Sequence, residues 1–403
     1  MKKRNKVLLY IFSIAGLLTG LFFIWNYSIA VIIMAGIIFL PGLYVYRKAI
    51  KVYTGKKFKR ILLWAVLLLS FAFPIGFFGI NLTAQFKNSV IVEYLLIIGQ
   101  VYLPAIHFIF ITALSISLIA FVGKLLKFVK KEKLEQPNVK KAAFWFTVVL
   151  AGVLLAISYR NHTETEINLY SIELSKKSSN LDSLRIVIVS DIHLTQTTPD
   201  YWLNDRVVMI NSLDPDIVLI PGDLIDSRAD LMENKPFVDD LKAIKSKYGV
   251  YASTGNHEHY GGFAENYNYI AGAGITLLAD SAVCIDSSFC LAGRLDRSQK
   301  HRKNLGEILT PNMHNLPVIL MDHQPHNLNE AQENSIDMQV SGHTHNGQLF
   351  PFNIITKYIY RISWGYEKIG QTHYFVSAGL GLWGPPFRLG SNSEIMVVDI
   401  RFK

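Results

Sequence analysis

Ser341-Gly342-His343-Thr344-His345-Asn346-Gly347-Gln348 follows a short apolar run and places two histidines two positions apart. In an extended segment, residues i and i+2 point to the same side, so both imidazoles are expected to face one site. Two hydrogen-bonded histidines at the end of a strand are an equally ordinary interpretation. This stretch alone therefore leaves a metal site and a structural role open.

Four further clusters of oxygen and nitrogen donors in the carboxy-terminal half favour the metal site. They are Asp191-Ile192-His193, Gly222-Asp223, Gly255-Asn256-His257-Glu258 and Asp322-His323. Most of them directly follow a β-like run. Because ligands collect at the carboxyl ends of strands in α/β folds, the five clusters predict one shared site.

Charge is divided unevenly along the 403 residues. Residues 1–160 carry 20 Lys and Arg against 3 Asp and Glu, whereas residues 161–403 carry 20 against 28. A basic surface for nucleic acid should lie on the domain that binds it. The carboxy-terminal part is mildly acidic, so we expect no nucleic-acid partner.

The first part, residues 1–159, predicts a transmembrane domain of about five helices. Apolar runs long enough to cross a bilayer occur at Val7–Trp25, Ile29–Tyr46, Ile61–Ile80, Tyr94–Val122 and Ala142–Ser158. A cleaved signal peptide is the competing interpretation of the first run. The connecting loops alternate between basic and nearly neutral. Since basic loops stay in the cytoplasm, five spans predict a multi-pass protein of the cytoplasmic (inner) membrane, with the domain after the fifth span on the outer side.

The run Tyr94–Val122 decides that count, because it is overlong and contains Pro104. We expect a single long or Pro-kinked helix. A re-entrant pair would reverse the parity and place the following domain in the cytoplasm. Glu93 and His107 mark either an intramembrane site or ordinary positions at an interface or between helices.

After a linker and edge strand, residues 160–183, the chain alternates between strands and helices from 184 to 403. Helices are predicted at Trp202–Leu213 and Phe237–Ile244. Strands are predicted at Ile167–Leu174, Leu184–Val189, Ile217–Ile220, Val250–Ser253, Ile275–Leu278, Ala282–Ile285, Phe289–Ala292, Pro317–Met321, Met338–Val340, Tyr374–Ser377 and Ile395–Ile400. This number of strands favours an α/β domain with two packed β-sheets flanked by helices.

Together the motifs resemble the calcineurin-like metallophosphoesterase superfamily. The matching elements are Asp191-x-His193, Gly222-Asp223, Gly255-Asn256-His257-Glu258, His323 after a strand, and Gly342-His343-Thr344-His345. Pro215-Asp216-Ile217-Val218 and the trailing Gly347-Gln348 resemble the bacterial membrane-associated branch. The resemblance covers about Leu184 to Ile400, includes none of the membrane part, and implies a metallophosphoesterase-like sandwich.

The resemblance implies two divalent metal ions that share one carboxylate. One ion would be held by Asp191, His193, Asp223 and His345, and the other by Asp223, Asn256, His323 and His343. Carboxylate, imidazole and amide donors suit Mn, Fe or Zn. Two such cations about 3.5 to 4 Å apart can clamp an in-line phosphoryl displacement and supply a bridging hydroxide as nucleophile.

Asp223 and His257 are the catalytic candidates. In the resembling family the histidine at the position of His257 protonates the leaving oxygen or stabilises charge on the phosphoryl group. Glu258 either orients a neighbour of the ligands or is solvated. Arg388 and His259 are predicted to contact substrate, Arg388 because an arginine can grip a phosphate through two hydrogen bonds.

Cys284 and Cys290 flank a predicted hairpin turn at Asp286–Ser288. If that turn forms, the two cysteines face each other across the strands. A cross-strand disulfide is then possible in an exported compartment, and two half-buried thiols are the alternative.

These observations predict a membrane-anchored, metal-dependent phosphoesterase. Its substrate would be a phosphorylated small molecule or a lipid-linked molecule of the cell envelope. The bond cleaved would be a phosphoester or a pyrophosphate. The alternative is a membrane sensory or binding module that keeps the fold with little turnover. The intact set of ligands argues against that alternative.

Overall fold

The computed structural model describes residues 28–82, 89–175, 180–226 and 228–403. The chain divides into two compact units, Met1–Ala156 and Ile157–Lys403. The first apolar run, Val7–Trp25, lies outside the described residues.

Helices make up the described part of the first unit. They are α1 (Ser28–Val52), α2 (Lys56–Leu82), α3 (Val90–Leu125), α4 (Lys131–Glu135) and α5 (Pro137–Thr163), the last of which continues into the second unit. Among the described residues, α1, α2, α3 and α5 are long and apolar enough to cross a membrane. This composition indicates membrane association.

The run Tyr94–Val122 lies within the single helix α3, which contains Pro104. Helices α2 and α3 pack closely where Gly76 lies against the backbone of Leu96 and Gly99 lies against the backbone of Phe73. Small residues at such crossings allow the backbones of apolar helices to approach one another. The overlong run is therefore one helix and not a re-entrant pair.

Two six-stranded sheets pack together in the second unit, which confirms the predicted fold class. The first sheet has the order β1-β12-β2-β3-β4-β5 and the second has the order β10-β11-β9-β8-β7-β6. The strands are β1 (Thr165–Leu174), β2 (Ser183–Ile188), β3 (Ile217–Pro221), β4 (Val250–Ser253), β5 (Thr276–Leu277), β6 (Ser281–Ile285), β7 (Phe289–Gly293), β8 (Val318–Met321), β9 (Met338–Ser341), β10 (Gly365–Ile369), β11 (Thr372–Val376) and β12 (Ser393–Phe402).

The described part of the second unit also contains helices, some of which pack on the outer faces of the sheets. They are α6 (Asp200–Ser212), α7 (Phe237–Lys242), α8 (Asn256–Tyr260), α9 (Phe263–Gly272), α10 (Leu305–Ile308), α11 (Leu328–Glu333) and α12 (Phe352–Ile359). Short 3-10 turns lie at Ala229–Met232, Pro311–Asn315 and His345–Gly347. Strand β10 and the helices α8, α9, α10, α11 and α12 are absent from the sequence-based prediction.

Successive side chains of a strand point to opposite faces of the sheet. Because both faces of these strands are covered, the strands are apolar on both faces. On β2, Ile186 and Ile188 pack between the sheets with Leu219 and Ile319, while Val187 faces the opposite way toward helix residues. The parallel pairs β2–β3, β3–β4, β7–β8 and β8–β9 all end at the edge where the donor clusters follow. The double sheet thus brings loops that are distant in sequence to one edge.

Cys284 and Cys290 are directly opposite each other in the β6–β7 hairpin and form a disulfide. The turn between them contains Asp286 and Ser287, both with positive φ. The predicted hairpin geometry is therefore present, and the cysteines take no part in the donor clusters.

The core between the sheets can be tested with Leu219→Ala. Leu219 is fully buried, so we expect a loss of about 2 to 5 kcal/mol in the free energy of unfolding, from lost transfer energy and the residual cavity. Leu169→Ala is the matched control on the same sheet, because Leu169 is 73% exposed and its truncation should change stability by less than about 0.5 kcal/mol. Urea denaturation of the full chain in detergent, followed by near-ultraviolet circular dichroism, measures both. Equal losses in the two variants would contradict this packing.

Candidate metal centre

The structure brings the seven predicted ligands together at the shared edge of the sheets. Asp191 and His193 follow β2, Asp223 follows β3, and Asn256 opens α8 after β4. The remaining three, His323, His343 and His345, follow β8 and β9. Facing donor atoms form one group from Asp191, His193 and His345 and a second group from Asp223, His323 and His343.

Imidazole nitrogens face each other in the first group. His193 Nε2 lies 3.1 Å from His345 Nε2, and the Oδ1 atom of Asp191 lies 3.4 Å from His345 Nε2 and 3.8 Å from His193 Nε2. All three side chains are buried. Their donor atoms therefore converge on one point shielded from water.

One oxygen of Asp223 lies between the two groups. Its Oδ2 atom is 3.1 Å from His323 Nε2 in the second group and 3.7 Å from His193 Nε2 in the first. On the far side of the second group, His343 Nδ1 lies 3.0 Å from Asn256 Oδ1. Asp223 is thus the residue common to both groups.

The hydrogen-bond partners of His323 and His193 outside the centre show which ring nitrogen of each histidine faces the centre. His323 Nδ1 lies 2.8 Å from the carbonyl oxygen of Pro221, and His193 Nδ1 lies 3.0 Å from Asp226 Oδ1. These acceptors hold Nδ1 of each ring, so Nε2 is the nitrogen that can donate an electron pair to a metal ion. His323 Nε2 is buried and makes no hydrogen bond. Such a buried donor set, aimed at neighbouring carboxylates, fits divalent metal ions.

Charge in the centre is unbalanced without a cation. Burial raises the pKa of Asp191. Burial also opposes ionisation of Asp223, yet the neighbouring His323 and His257 outweigh it and hold the pKa of Asp223 well below its usual range. Two buried carboxylates a few ångströms apart are costly unless positive charge compensates them. Divalent cations bound in the centre would supply that compensation.

The backbone at the ligands departs from the extended conformation expected for the histidine pair. Strand β9 ends at Ser341, Thr344 is right-handed helical, and His343 and His345 have φ of 71° and 48°. The i, i+2 argument for a common direction was therefore wrong, although both rings still reach the centre. Positive φ also occurs at Asp191, His193 and Asp223. Turns, and not strand ends, aim these side chains.

Glycines allow the ligand loops to approach one another. A Cβ atom on Gly255 would collide with the carboxylate of Asp223, and one on Gly342 would collide with the carboxylate of Asp191. Only glycine leaves the space for these contacts. Gly255 and Gly342 are therefore part of the centre's construction.

Glu258 takes the first of its two predicted alternatives. Its side chain is buried, and its carboxylate accepts hydrogen bonds from the backbone N–H groups of Asp223 (2.9 Å), Ile225 (3.1 Å) and Gly255 (2.7 Å). Three amide donors on one carboxylate fix two loops relative to each other. Glu258 thus holds Asp223 in place.

Asp226 is a functional residue that the sequence reasoning missed. Its Oδ1 atom lies 3.0 Å from His193 Nδ1 and 3.2 Å from His257 Nδ1, and its carbonyl oxygen lies 2.5 Å from the same nitrogen of His257. One carboxylate therefore orients both a predicted ligand and the predicted catalytic histidine. The available signal was an acid three positions after Asp223, in the same loop.

The carboxylates of Asp223 and Asp226 also set the charge of His257. Burial alone would lower the pKa of His257, but the carboxylates of Asp223 and Asp226 outweigh it and raise that pKa to about 9. Burial likewise opposes ionisation of Asp226, while hydrogen bonds from His193 and His257 hold its pKa at about 2. In this arrangement His257 is therefore in its positively charged imidazolium form at neutral pH.

Arg388 does not lie where the sequence predicted a substrate contact. Its side chain is fully buried, and its guanidinium donates hydrogen bonds to the carbonyl oxygens of Ala378 (2.8 Å), Gly379 (2.9 Å) and Gly381 (2.5 Å). These bonds occupy the groups that would bind a phosphate. Gly381 in turn donates its N–H to the carbonyl of Asp191, so Arg388 supports the loop beneath a ligand.

His259 lies at the rim of the centre and is half-buried. Its ring stacks on Phe263 with centroids 4.9 Å apart, and its Nε2 atom lies 3.3 Å from the hydroxyl of Thr254. A contact between His259 and substrate stays a prediction.

Comparisons with known proteins add to this geometry. Residues 184–347 match the family model for the calcineurin-like phosphoesterase domain. A transmembrane protein with metallophosphoesterase domain from Danio rerio is 33% identical, over 57% of this chain and 56% of that protein. An uncharacterized metallophosphoesterase from Aquifex aeolicus is 31% identical, over 64% of this chain and 99% of that protein. A third, from Campylobacter jejuni, is 28% identical over 94% of this chain and 98% of that protein. This chain thus spans about half of the zebrafish protein and nearly all of the two bacterial ones.

We expect Asp226→Asn to weaken binding of Mn²⁺ about 10- to 100-fold, because the amide no longer orients His193 as a carboxylate does. Isothermal titration of the full chain in detergent, after removal of bound metal by a chelator, measures the affinity. Asp230→Asn is the control, since Asp230 pairs with Arg228 in the same region and is not itself a predicted ligand. Unchanged affinity in Asp226→Asn would rule out its orienting role.

The buried position of Arg388 leads to a second expectation. Arg388→Ala leaves several buried carbonyls without donors and should lower the free energy of unfolding by at least about 2 kcal/mol. Arg361→Ala, at a side chain that is 55% exposed, should stay within about 0.5 kcal/mol of the wild type. Thermal unfolding of both variants in detergent makes the comparison. An Arg388→Ala protein of normal stability that had lost only substrate affinity would restore the role predicted from the sequence.

Proposed function

Because the chain belongs to the calcineurin-like phosphoesterases, a family of metal-dependent phosphoesterases, we propose that it hydrolyses a phosphoester or pyrophosphate bond with two divalent metal ions. The observation that carries this proposal is the position of Asp223 Oδ2 between two groups of buried donors. A carboxylate shared in this way is the arrangement needed to hold two cations side by side.

The proposed ligands follow from those groups. Asp191, His193, Asp223 and His345 would hold one ion, and Asp223, Asn256, His323 and His343 would hold the other. The facing donor atoms support both sets. The mixture of carboxylate, imidazole and amide oxygen favours Mn, Fe or Zn.

When bound, such ions activate water as a nucleophile and neutralise charge on the phosphoryl oxygens. The chain's own residues supply the remaining steps. Asp226 holds Nδ1 of His257, so Nε2 is the nitrogen left to act on substrate. A protonated His257 at this position can give its proton to the leaving oxygen as the bond to phosphorus breaks.

We further propose that the substrate is a phosphorylated lipid or lipid-linked molecule of the cell envelope. Four helices suited to crossing a membrane support a membrane-borne substrate. The alternation of basic and neutral loops supports a multi-pass arrangement in the cytoplasmic membrane with the catalytic domain on the outer face.

Asp223→Ala should abolish metal-dependent hydrolysis of an aryl phosphodiester by the full chain, because it removes a ligand from both proposed ions. The assay is run in detergent with added Mn²⁺, and treatment of the wild type with a chelator should give the same loss. Asp399→Ala, which removes a carboxylate from a surface ion pair with Arg185, is the control for the purified protein. Activity that survived both chelation and Asp223→Ala would contradict the proposal.

His257→Asn should lower kcat about 100- to 10,000-fold on substrates with poor leaving groups. The loss should shrink on aryl esters with good leaving groups, because their leaving oxygen needs little protonation. A series of phosphodiesters of rising leaving-group pKa measures this dependence, with the exposed His301→Asn as the control. An equal loss across the series would mean that His257 is not the proton donor.

A further inference from the structure

Helix α12 has its apolar side turned toward solvent. Its apolar residues lie within an arc of about 160° at the period of an α-helix. All of them are exposed: Phe352, Ile354, Ile355, Tyr358 and Ile359. The exposed fraction reaches 88% at Tyr358 and 59% at Ile359. The polar residues Asn353 and Thr356, by contrast, lie on the half-buried side.

This orientation is the reverse of that of a helix packed on an aqueous domain. Phe350, two residues before the first residue of α12, is also exposed and extends the apolar surface. We call Phe350, Phe352, Ile354, Ile355, Tyr358 and Ile359 the α12 surface. A cluster of large exposed apolar side chains marks a surface with a partner.

The α12 surface is connected to the end of the last candidate span by hydrogen bonds within the second unit. The backbone N–H of Arg388 donates to the carbonyl of Ser158 at 2.8 Å, and Asn161 Nδ2 donates to the carbonyl of Arg388 at 3.3 Å. The next residue, Leu389, accepts from the N–H of Phe350 at 2.6 Å. The surface is therefore anchored beside the point where α5 ends.

An exposed tyrosine lies next to Ser158 on α5 itself. Tyr159 is 50% exposed, and its ring lies 5.9 Å from that of Phe387. Tyrosine is enriched where a span meets the headgroup region of a bilayer. Lys357 is an exposed cation at the border of the α12 surface, where its stem can lie along apolar groups and its charge can reach headgroups.

The metal centre adjoins the same surface. Gly347, which ends the histidine turn, packs directly against the backbone of Phe352 and Asn353 at the start of α12. Gln348 donates to the carbonyls of Trp383 and Pro385 at 3.1 Å. Trp383 is 55% exposed, and its ring lies 6.5 Å from that of His257. The loop carrying His343 and His345 is thus built onto α12.

We propose that the α12 surface inserts into the lipid–water interface of the membrane entered by α5, and that it holds the metal centre at the level of the lipid headgroups. A short amphipathic helix with exposed Phe, Ile and Tyr residues and a flanking lysine suits this location. The occupant is a bilayer because the anchoring residues Ser158 and Asn161 belong to a helix that is itself a candidate span. A second copy of the chain or another protein is an outcome of the test.

The test measures the position of α12 without using catalysis. Tyr358→Cys is introduced into the full chain, labelled with a nitroxide and placed in phospholipid nanodiscs. The two native cysteines are joined in a disulfide and do not react. Collision of the label with oxygen, which concentrates in lipid, is compared with collision with a water-soluble chelated nickel reagent. Lys242→Cys on α7 is the aqueous control.

Insertion predicts high oxygen and low nickel accessibility at Tyr358→Cys, with the opposite pattern at Lys242→Cys. High nickel accessibility at both positions would overturn the proposal. Low accessibility to both reagents at Tyr358→Cys would also overturn it, because that pattern means a protein partner covers the surface.

A second measurement concerns the substrate and rests on the proposed function. The double variant Ile355→Asp with Tyr358→Asp should hydrolyse a phosphate ester embedded in the bilayer at least about tenfold more slowly than the wild type. Hydrolysis of a soluble aryl phosphodiester should be unchanged. Ala243→Asp, which adds a carboxylate at an exposed position outside the α12 surface, should affect neither substrate.

The two measurements fail in different ways. If the wild type cleaves no phosphate ester, the proposed function fails while the spin-label result still decides insertion. If the double variant cleaves both substrates like the wild type, α12 does not hold the centre at the headgroups, and that part of the inference is wrong.

Discussion

Two buried carboxylates, Asp191 and Asp223, face imidazoles brought from distant loops, and the rest of the domain is arranged to hold them there. Side chains with so little access to water are stable only if their charge is compensated locally. His323 and His193 turn their Nε2 atoms toward Asp223, at 3.1 Å and 3.7 Å from its Oδ2 atom. Divalent cations bound between these donors would supply the compensation.

Holding these groups has a cost in backbone conformation. Asp191, His193, Asp223, His343 and His345 all adopt positive φ, which costs on the order of 1 to 3 kcal/mol at each such residue. Buried polar groups outside the centre offset that cost. Glu258 collects three backbone amides from the loops after β3 and β4, and Arg388 binds three carbonyls of the loop beneath Asp191.

The sequence predicted what depends on order and periodicity. The number of predicted strands was enough to predict two packed sheets, and the donor clusters that follow several of those strands were enough to predict one shared site. The Tyr94–Val122 run, expected to form one helix, lies within a single helix in the structure.

The sequence did not predict what depends on backbone turns and on which side of an element is covered. The extended conformation assumed for His343 and His345 was wrong because nothing in their identity distinguishes a strand end from a left-handed turn. Arg388 was predicted to contact substrate because an arginine can grip a phosphate, whereas its guanidinium binds backbone carbonyls of the loop beneath Asp191. Helix α12 was missed because it is short and its apolar side faces outward.

Anomalous diffraction from crystals of the full chain grown with Mn²⁺ would show whether Asp223 stands between two metal ions. We expect two anomalous peaks about 3.5 to 4 Å apart, one beside Asp191 and His345 and the other beside His323 and His343, with the Asp223 carboxylate between them. A map with no peak next to Asp223, or with metal bound only elsewhere on the domain, would contradict it.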